Sequence, residues 1–123
     1  MHDDPAPEDI MAAVAAFLRE GSANPNAAAR AFQERVAQNA VDLAQRQIAD
    51  PTSTKDELES LLGKQGDERA LTAELARRIR AGEIGEATSG LMDYLWRTTI
   101  AKVRVDQPNY AGLALALKMK REA

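Results

Sequence analysis

The sequence contains no cysteine, and this absence excludes whole classes of chemistry. Without a thiol among the 123 residues, disulfides, zinc–thiolate sites, iron–sulfur clusters and cysteine nucleophiles are ruled out. Histidine is almost as scarce, because the one histidine, His2, lies beside the N-terminus, where side chains are seldom held in place. The usual general base of catalysis at neutral pH is therefore missing. The sequence predicts no catalytic residue, no metal site and no cofactor.

Aromatic residues and long apolar runs are also rare. Aromatic side chains make up 4% of the chain, and much of the 45% hydrophobic fraction is alanine, which favours helices and buries little area per residue. The longest weakly polar stretch, residues 10–18, is shorter than the roughly 20 residues that cross a bilayer. The acidic, proline-rich start lacks the basic and apolar regions of a signal peptide. These features predict a cytoplasmic protein without a membrane span.

The chain has no surplus of basic residues. Sixteen lysines and arginines stand against nineteen acidic residues, which gives a formal charge of −3. A general nucleic-acid binder usually shows a basic surplus or stripe. We therefore expect a soluble protein with no nucleic-acid partner.

Hydrophobic spacing and helix-ending residues predict an all-α protein. The expected helices run from about Pro7 to Glu20, from Ala27 to Ala49, from about Thr54 to Leu62, from Gly66 and Asp67 to just before Ala81, from Gly90 to Asp106, and from Tyr110 to Ala123. The second is the longest. Short connections between helices favour one antiparallel bundle of five to six helices. We expect a single domain over residues 1–123, with a flexible N-terminus at 1–6 and a candidate docking helix at 110–123.

Local signals mark several helix ends. Asn26 is a suitable N-cap for the second helix, and Thr54 followed by Glu57 is a capping-box pattern for the third. Gly63 is expected to end that helix. In the second helix, an apolar stripe at helical spacing includes Phe32, Val36, Ala40 and Leu43. Its position predicts that this stripe faces the core.

Asn39 lies on the same stripe and is a candidate polar site. A buried amide without a partner costs about 1–3 kcal/mol, so a core position requires hydrogen bonds. The favoured interpretation is a satisfied core amide that bonds a neighbouring helix or loop. The alternative is a contact with a ligand.

Three arginines near the end of the fourth helix, Arg77, Arg78 and Arg80, form the strongest cluster of charge. One interpretation is a favourable interaction with the negative end of the helix dipole. The other is a site for an anion or an acidic partner, joined by Arg35 or Lys102. Either arrangement is compatible with the sequence.

Large apolar residues in the last two helices suggest a surface for association. Trp96 is offset from the main apolar face of the fifth helix, Tyr110 begins the last expected helix, and Leu113 and Leu117 precede a basic tail. A helix that is apolar on more than one face is usually covered by another element. The C-terminal segment, a second subunit or a partner protein would cover these side chains.

The order of short motifs resembles a family of small bacterial helical proteins that is classed as a domain of unknown function. The motifs read PEDI, VAAFLRE, RVAQNA, LTAELARRIRAGEI and KVRVDQPNY, between Pro7 and Tyr110. Arg35, Asn39, Glu74 and Arg78 fall within them, as does Tyr110. Gln107 and the segment from Leu113 to Ala123 depart from the family pattern.

The resemblance implies association rather than chemistry. Members tend to be encoded beside aminoglycoside-phosphotransferase-like kinases and acyl-CoA dehydrogenases, which implies an accessory or interaction protein with such a partner. No catalytic residue is carried over, and an enzyme is the less favoured interpretation. The second hypothesis is a binding protein for a small anionic ligand, an acyl-CoA or a phosphorylated metabolite. Self-association into a homo-oligomer is a further form of the first hypothesis.

Overall fold

A computed structural model describes residues 4–21 and 24–122, and residues 120–122 are described without side chains. The regular structure of these residues consists of six α-helices and no strand. The helices are α1 Pro7–Glu20, α2 Ala27–Ala49, α3 Lys55–Leu62, α4 Glu68–Arg80, α5 Leu91–Asp106 and α6 Ala111–Glu122. The predictions of an all-α class and of α2 as the longest helix are confirmed. His2 lies outside the described residues.

The helix ends follow the local chemistry, with one exception. Asn26 caps α2 by accepting hydrogen bonds from the backbone N–H groups of Ala28 and Ala29. Gly63 ends α3 in the left-handed region, at a φ of 67°, where glycine is free of the strain that a Cβ would cause. The capping-box prediction at Thr54 is wrong, because this side chain makes no cap hydrogen bond. It is buried instead and hydrogen-bonds to the side chain of Tyr94.

The described residues form two compact units, one within residues 2–50 and one within residues 51–123. In the first unit, α1 packs against α2. The only buried apolar side chains described there are Ile10 and Ala44. The single domain over 1–123 stays a prediction.

The predicted core stripe of α2 is wrong in part. Phe32 and Val36 are 60% and 50% exposed, whereas the alanine-rich side of the helix, with Ala37, Ala40 and Ala44, is shielded. Small side chains allow two helices to approach closely, and this close contact stabilises the hairpin by packing. Phe32 and Val36 therefore lie beside the packed side of α2, whereas Leu43 of the same stripe is half-buried.

The second unit contains the main hydrophobic core, where α4 and α5 pack around α3. The cluster consists of Leu58, Leu62, Leu71, Leu75, Ile84, Leu91 and Tyr94. Leu58 and Leu71 are its most completely buried large side chains. Ile84 anchors the connector between α4 and α5, and α6 packs on α5. This core fixes the faces that α3 and α5 present to the clefts described below.

Candidate functional site

Asn39 is exposed, so the prediction of a satisfied core amide is wrong. The neighbouring Arg35 on α2 is also exposed. Both residues share the side of α2 that carries Phe32 and Val36, which the hairpin leaves open to solvent. The periodicity of the sequence identified a row of apolar residues along one side of α2, but α1 packs against a different side of that helix. A role of Arg35 and Asn39 in ligand binding stays a prediction.

Two of the three clustered arginines pair with carboxylates. Arg77 donates to Glu74 from Nε and Nη2, each at 2.9 Å, and reaches Glu83 at 3.3 Å. The half-buried Arg78 donates from Nε to Glu74 at 2.8 Å. It also donates from Nη1 to the Leu62 carbonyl at 3.1 Å. These bonds tie α4 to the end of α3 and to the connector that follows α4.

This network changes the acidity of Glu74. Hydrogen bonds from Arg77 and Arg78 lower the pKa of its carboxyl from an ordinary 4.5 to about 2, against a small opposing effect of burial. Glu74 and Glu83 in turn raise the pKa of Arg77. The arrangement fits a structural clasp. These arginines would bind an anion more weakly than two unpaired guanidinium groups would, because they already donate hydrogen bonds to carboxylates.

The hydrogen bonds of Glu74 and Glu83 with Arg77 and Arg78 do not include the other cationic candidates, Arg80 and Lys102. Arg80 is exposed at the end of α4, and Lys102 is half-buried on α5, where it has a polar or charged partner. An anion site that joins these residues with Arg77 and Arg78 stays a prediction.

Arg97 of α5, which the sequence reasoning did not single out, lies between two surface clefts. Its Nη1 forms an ion pair with the Glu57 carboxylate of α3. Both clefts include Arg97 in their lining, and both lie within residues 51–123. Arg97 is therefore the residue that the two clefts share, whereas Glu57 lines only the first.

The first, the α3–α5 cleft, has a volume of about 700 Å³. Hydroxyl and carboxylate groups dominate its lining: Glu57, Ser60, Thr88, Ser89 and Asp93. Gly90 lies at its edge and begins α5 with a φ of 85°. With two carboxylates against one guanidinium, its lining carries a formal charge of −1, which does not favour an anionic ligand.

The second, the α5–α6 cleft, has a volume of about 510 Å³ and the opposite character. Arg97 and Arg104 provide its charge, and Ser53 and Thr52 lie across from α5 in the segment before α3. Ile100 and Ala101 form an apolar floor, with Leu117 of α6 as a wall. Such an arrangement can hold a negative group at its basic edge and an apolar group against its floor. The spacing of Arg97 and Arg104, seven residues apart around Ile100, is the sequence signal that could have pointed to it.

The four predicted interface residues occupy different environments. Trp96 is 39% exposed and Tyr110 is 57% exposed, whereas Leu113 and Leu117 are half-buried. Leu117 lines the α5–α6 cleft. Three further apolar side chains, Met92, Leu115 and Met119, are exposed on the same two helices. Whether any of these residues lies at an interface stays a prediction.

Two kinds of feature are absent from the described ranges. No group of three or more histidine, cysteine or acidic side chains there is placed to hold a metal ion. None of the helices described is long and apolar enough to cross a membrane.

Comparison with known proteins identifies a family but no characterised relative. No curated protein and no solved structure matches the chain significantly. A family profile described as a domain of unknown function (DUF6285) matches residues 23–110. The match spans α2 to α5, which is more than half of the sequence. The chain therefore belongs to the DUF6285 family.

Proposed function

We propose that this chain is a non-catalytic interaction protein that binds an acidic surface of a partner protein through α5 and α6. The single observation that carries the proposal is the pair of exposed apolar side chains on each helix. Met92 and Trp96 lie four residues apart on α5, and Leu115 and Met119 lie four residues apart on α6. We call these four residues the exposed apolar pairs. Side chains at this spacing share one helix face.

The half-buried residues of α6 support this interpretation. Leu113 and Leu117 lie on one side of the helix, and the more exposed Leu115 and Met119 lie on the other. A helix with apolar residues on two sides gains free energy when both are covered. Within residues 51–123, only one side of α6 is shielded in this way.

Charge favours an acidic partner. Residues 91–122, which include α5 and α6, contain six lysines and arginines against three acidic residues, Asp93, Asp106 and Glu122. A basic region around exposed apolar groups speeds encounter with an acidic surface and disfavours a basic one. The family resemblance points to a phosphotransferase-like kinase or an acyl-CoA dehydrogenase as the partner.

Binding measurements with purified proteins test the proposal. The chain is titrated, at low and high salt, with an aminoglycoside-phosphotransferase-like kinase and with an acyl-CoA dehydrogenase, the two kinds of partner that the family resemblance implies. We expect binding to one of them that weakens as salt rises, because salt screens the attraction. In the variants Trp96→Ala and Met119→Ala we expect the affinity to fall by about tenfold, which corresponds to roughly 1.4 kcal/mol for a central apolar contact.

Phe32→Ala and Val36→Ala provide matched controls, since they remove exposed apolar side chains of α2 instead. These controls should bind as the original chain does. Equal loss in both sets of variants would contradict a site on α5 and α6. Absence of binding to either protein would contradict the proposed partners. If the chain forms a homodimer that Trp96→Ala dissociates, the molecule bound at this surface is a second copy of the chain instead.

A further inference from the structure

The α5–α6 cleft combines positive charge with an apolar floor. Its two charged lining residues are Arg97 and Arg104, and no carboxylate lines it among the described residues. Arg97 and Arg104 are seven residues apart, so they lie on one side of α5, about 10 Å apart along the helix axis. The side chain of arginine is long enough for both guanidinium groups to approach one bound molecule.

The two arginines differ in their partners. Arg97 is engaged by Glu57, which holds it at the boundary of the cleft. No ion pair or hydrogen bond engages the guanidinium of Arg104 among the described residues. A guanidinium group presents up to five N–H donors and binds carboxylate or phosphate oxygens in a forked geometry. Arg104 is therefore the residue whose hydrogen-bonding capacity is open to a ligand.

The floor of the cleft selects for an apolar group. Ile100 and Ala101 are 9% and 7% exposed, and the half-buried Leu117 faces the same space. The volume of about 510 Å³ falls within the range typical of small-molecule sites. A ligand that covered this floor would gain the free energy of apolar burial, and a fully hydrated ion would not.

We propose that the α5–α6 cleft binds a small amphipathic anion, with a carboxylate or phosphate head on Arg104 and an aliphatic body against Ile100, Ala101 and Leu117. The head lies at the basic edge of the cleft, within reach of the Ser53 hydroxyl. The ligand's charge also attracts Arg97, in competition with Glu57. This site uses none of the exposed apolar pairs, but it shares Arg97 and Arg104 with the basic residues of the proposed partner surface.

Four simple probes separate the head from the body. The isotopically labelled full chain is titrated with hexanoate, hexyl phosphate, 1-hexanol and inorganic phosphate, followed by NMR signals of the Arg104 Nε–Hε group and the Ser53 and Leu117 amides. We expect hexanoate, hexyl phosphate or both to shift all three signals, and the stronger of them identifies the head. Hexanol and inorganic phosphate should bind at least about tenfold more weakly, because each lacks one of the two required groups.

Variants test the placement of the charge. Arg104→Ala should weaken binding of the stronger probe by about tenfold or more, the expected loss of a charge-assisted hydrogen bond. Ser53→Glu, which adds a negative charge at the edge, should weaken it similarly. Arg80→Ala removes an exposed arginine at the end of α4, outside the cleft, and should leave binding unchanged. Thermal unfolding by circular dichroism verifies that each variant is folded.

Three results would overturn the proposal. The first is that neither amphipathic probe shifts the cleft signals. The second is equal affinity for inorganic phosphate and hexyl phosphate without binding of hexanoate, which would mean a simple ion site. The third is equal affinity of the Arg104→Ala and Arg80→Ala variants, which would place the bound anion elsewhere.

Discussion

At the scale of single residues, hydrogen bonds from two arginines strongly lower the pKa of the Glu74 carboxyl. Its folded-state pKa of about 2 lies below the ordinary 4.5, so the ionised form stabilises the fold. This contribution is present above pH 4.5 and is lost as the pH falls towards 2. In Glu74→Gln we expect a lower urea midpoint than in the original chain at pH 6, and a smaller difference at pH 3. Urea titrations at both pH values measure this difference.

Glu86→Gln is the matched control, since Glu86 is exposed in the connector before α5. This variant should follow the original chain at both pH values. A difference for Glu74→Gln that stays constant between pH 6 and pH 3 would contradict the role assigned to the Arg77 and Arg78 hydrogen bonds.

Leu58 and Leu115 allow a second comparison between single residues. Leu58 is fully buried in the core cluster, and Leu115 is 61% exposed. Leu58→Ala should lower the free energy of unfolding by about 2–5 kcal/mol, because it removes buried methyl groups and leaves a cavity. Leu115→Ala should change it by no more than about 0.5 kcal/mol. Chemical denaturation distinguishes the two, and similar losses in both variants would contradict the observed burial.

At the scale of elements, the two asparagines of the α2 region should respond oppositely to alanine. Asn26 caps the helix, so Asn26→Ala should destabilise it by about 1 kcal/mol. Asn39 is exposed within the helix, where alanine is the better helix former, so Asn39→Ala should stabilise it by about 0.5 kcal/mol. Thermal denaturation followed by helical circular dichroism measures both. A marked loss of stability in Asn39→Ala would restore the buried-amide interpretation.

Helix ends could be predicted from the sequence because their causes are local. Asn26 and Gly63 act on backbone groups within a few residues, and Asp50 before Pro51 restricts the chain at the adjoining bond. Contacts between distant residues could not be predicted. Arg97 meets Glu57 across 40 positions, and Arg78 reaches the Leu62 carbonyl across 16. The exposure of Phe32 likewise depends on which side of α2 another helix covers, and periodicity alone cannot decide this.

In the candidate site, too, features of neighbouring residues could be predicted from the sequence, whereas contacts between distant residues could not. Arg77 and Arg78 are adjacent in sequence, yet Glu74, one turn earlier, pairs with both. Arg104 belongs to no such run of arginines, and its place in the proposed site depends on Ser53 and Leu117, which only folding brings near it. The helices could therefore be predicted from the sequence, and so could the two alternative hypotheses of a partner-binding surface and an anion-binding site. The position of the proposed anion-binding site could not.

At the scale of the whole molecule, the buried apolar side chains are unevenly distributed. Two of those described lie in residues 2–50, and the other ten lie in residues 51–123. Local opening costs less where fewer apolar contacts are broken. We expect backbone amides of α1 and α2 to exchange with deuterium faster than those of α3, α4 and α5. Native-state hydrogen exchange resolved by residue measures this, and uniform protection along the chain would contradict it.

The wall that Leu117 contributes to the α5–α6 cleft lies outside the family match, which ends at residue 110, whereas Arg97 and Arg104 lie inside it. In the proposed complex the head meets Arg104 inside the matched region. The aliphatic body meets Ile100 and Ala101 inside that region and Leu117 of α6 outside it. Replacing α6 while keeping α2 to α5 would therefore change which length of aliphatic ligand chain is preferred, but it would leave the binding of the anionic head intact. Substitutions in α6 are thus the ones expected to alter ligand selectivity.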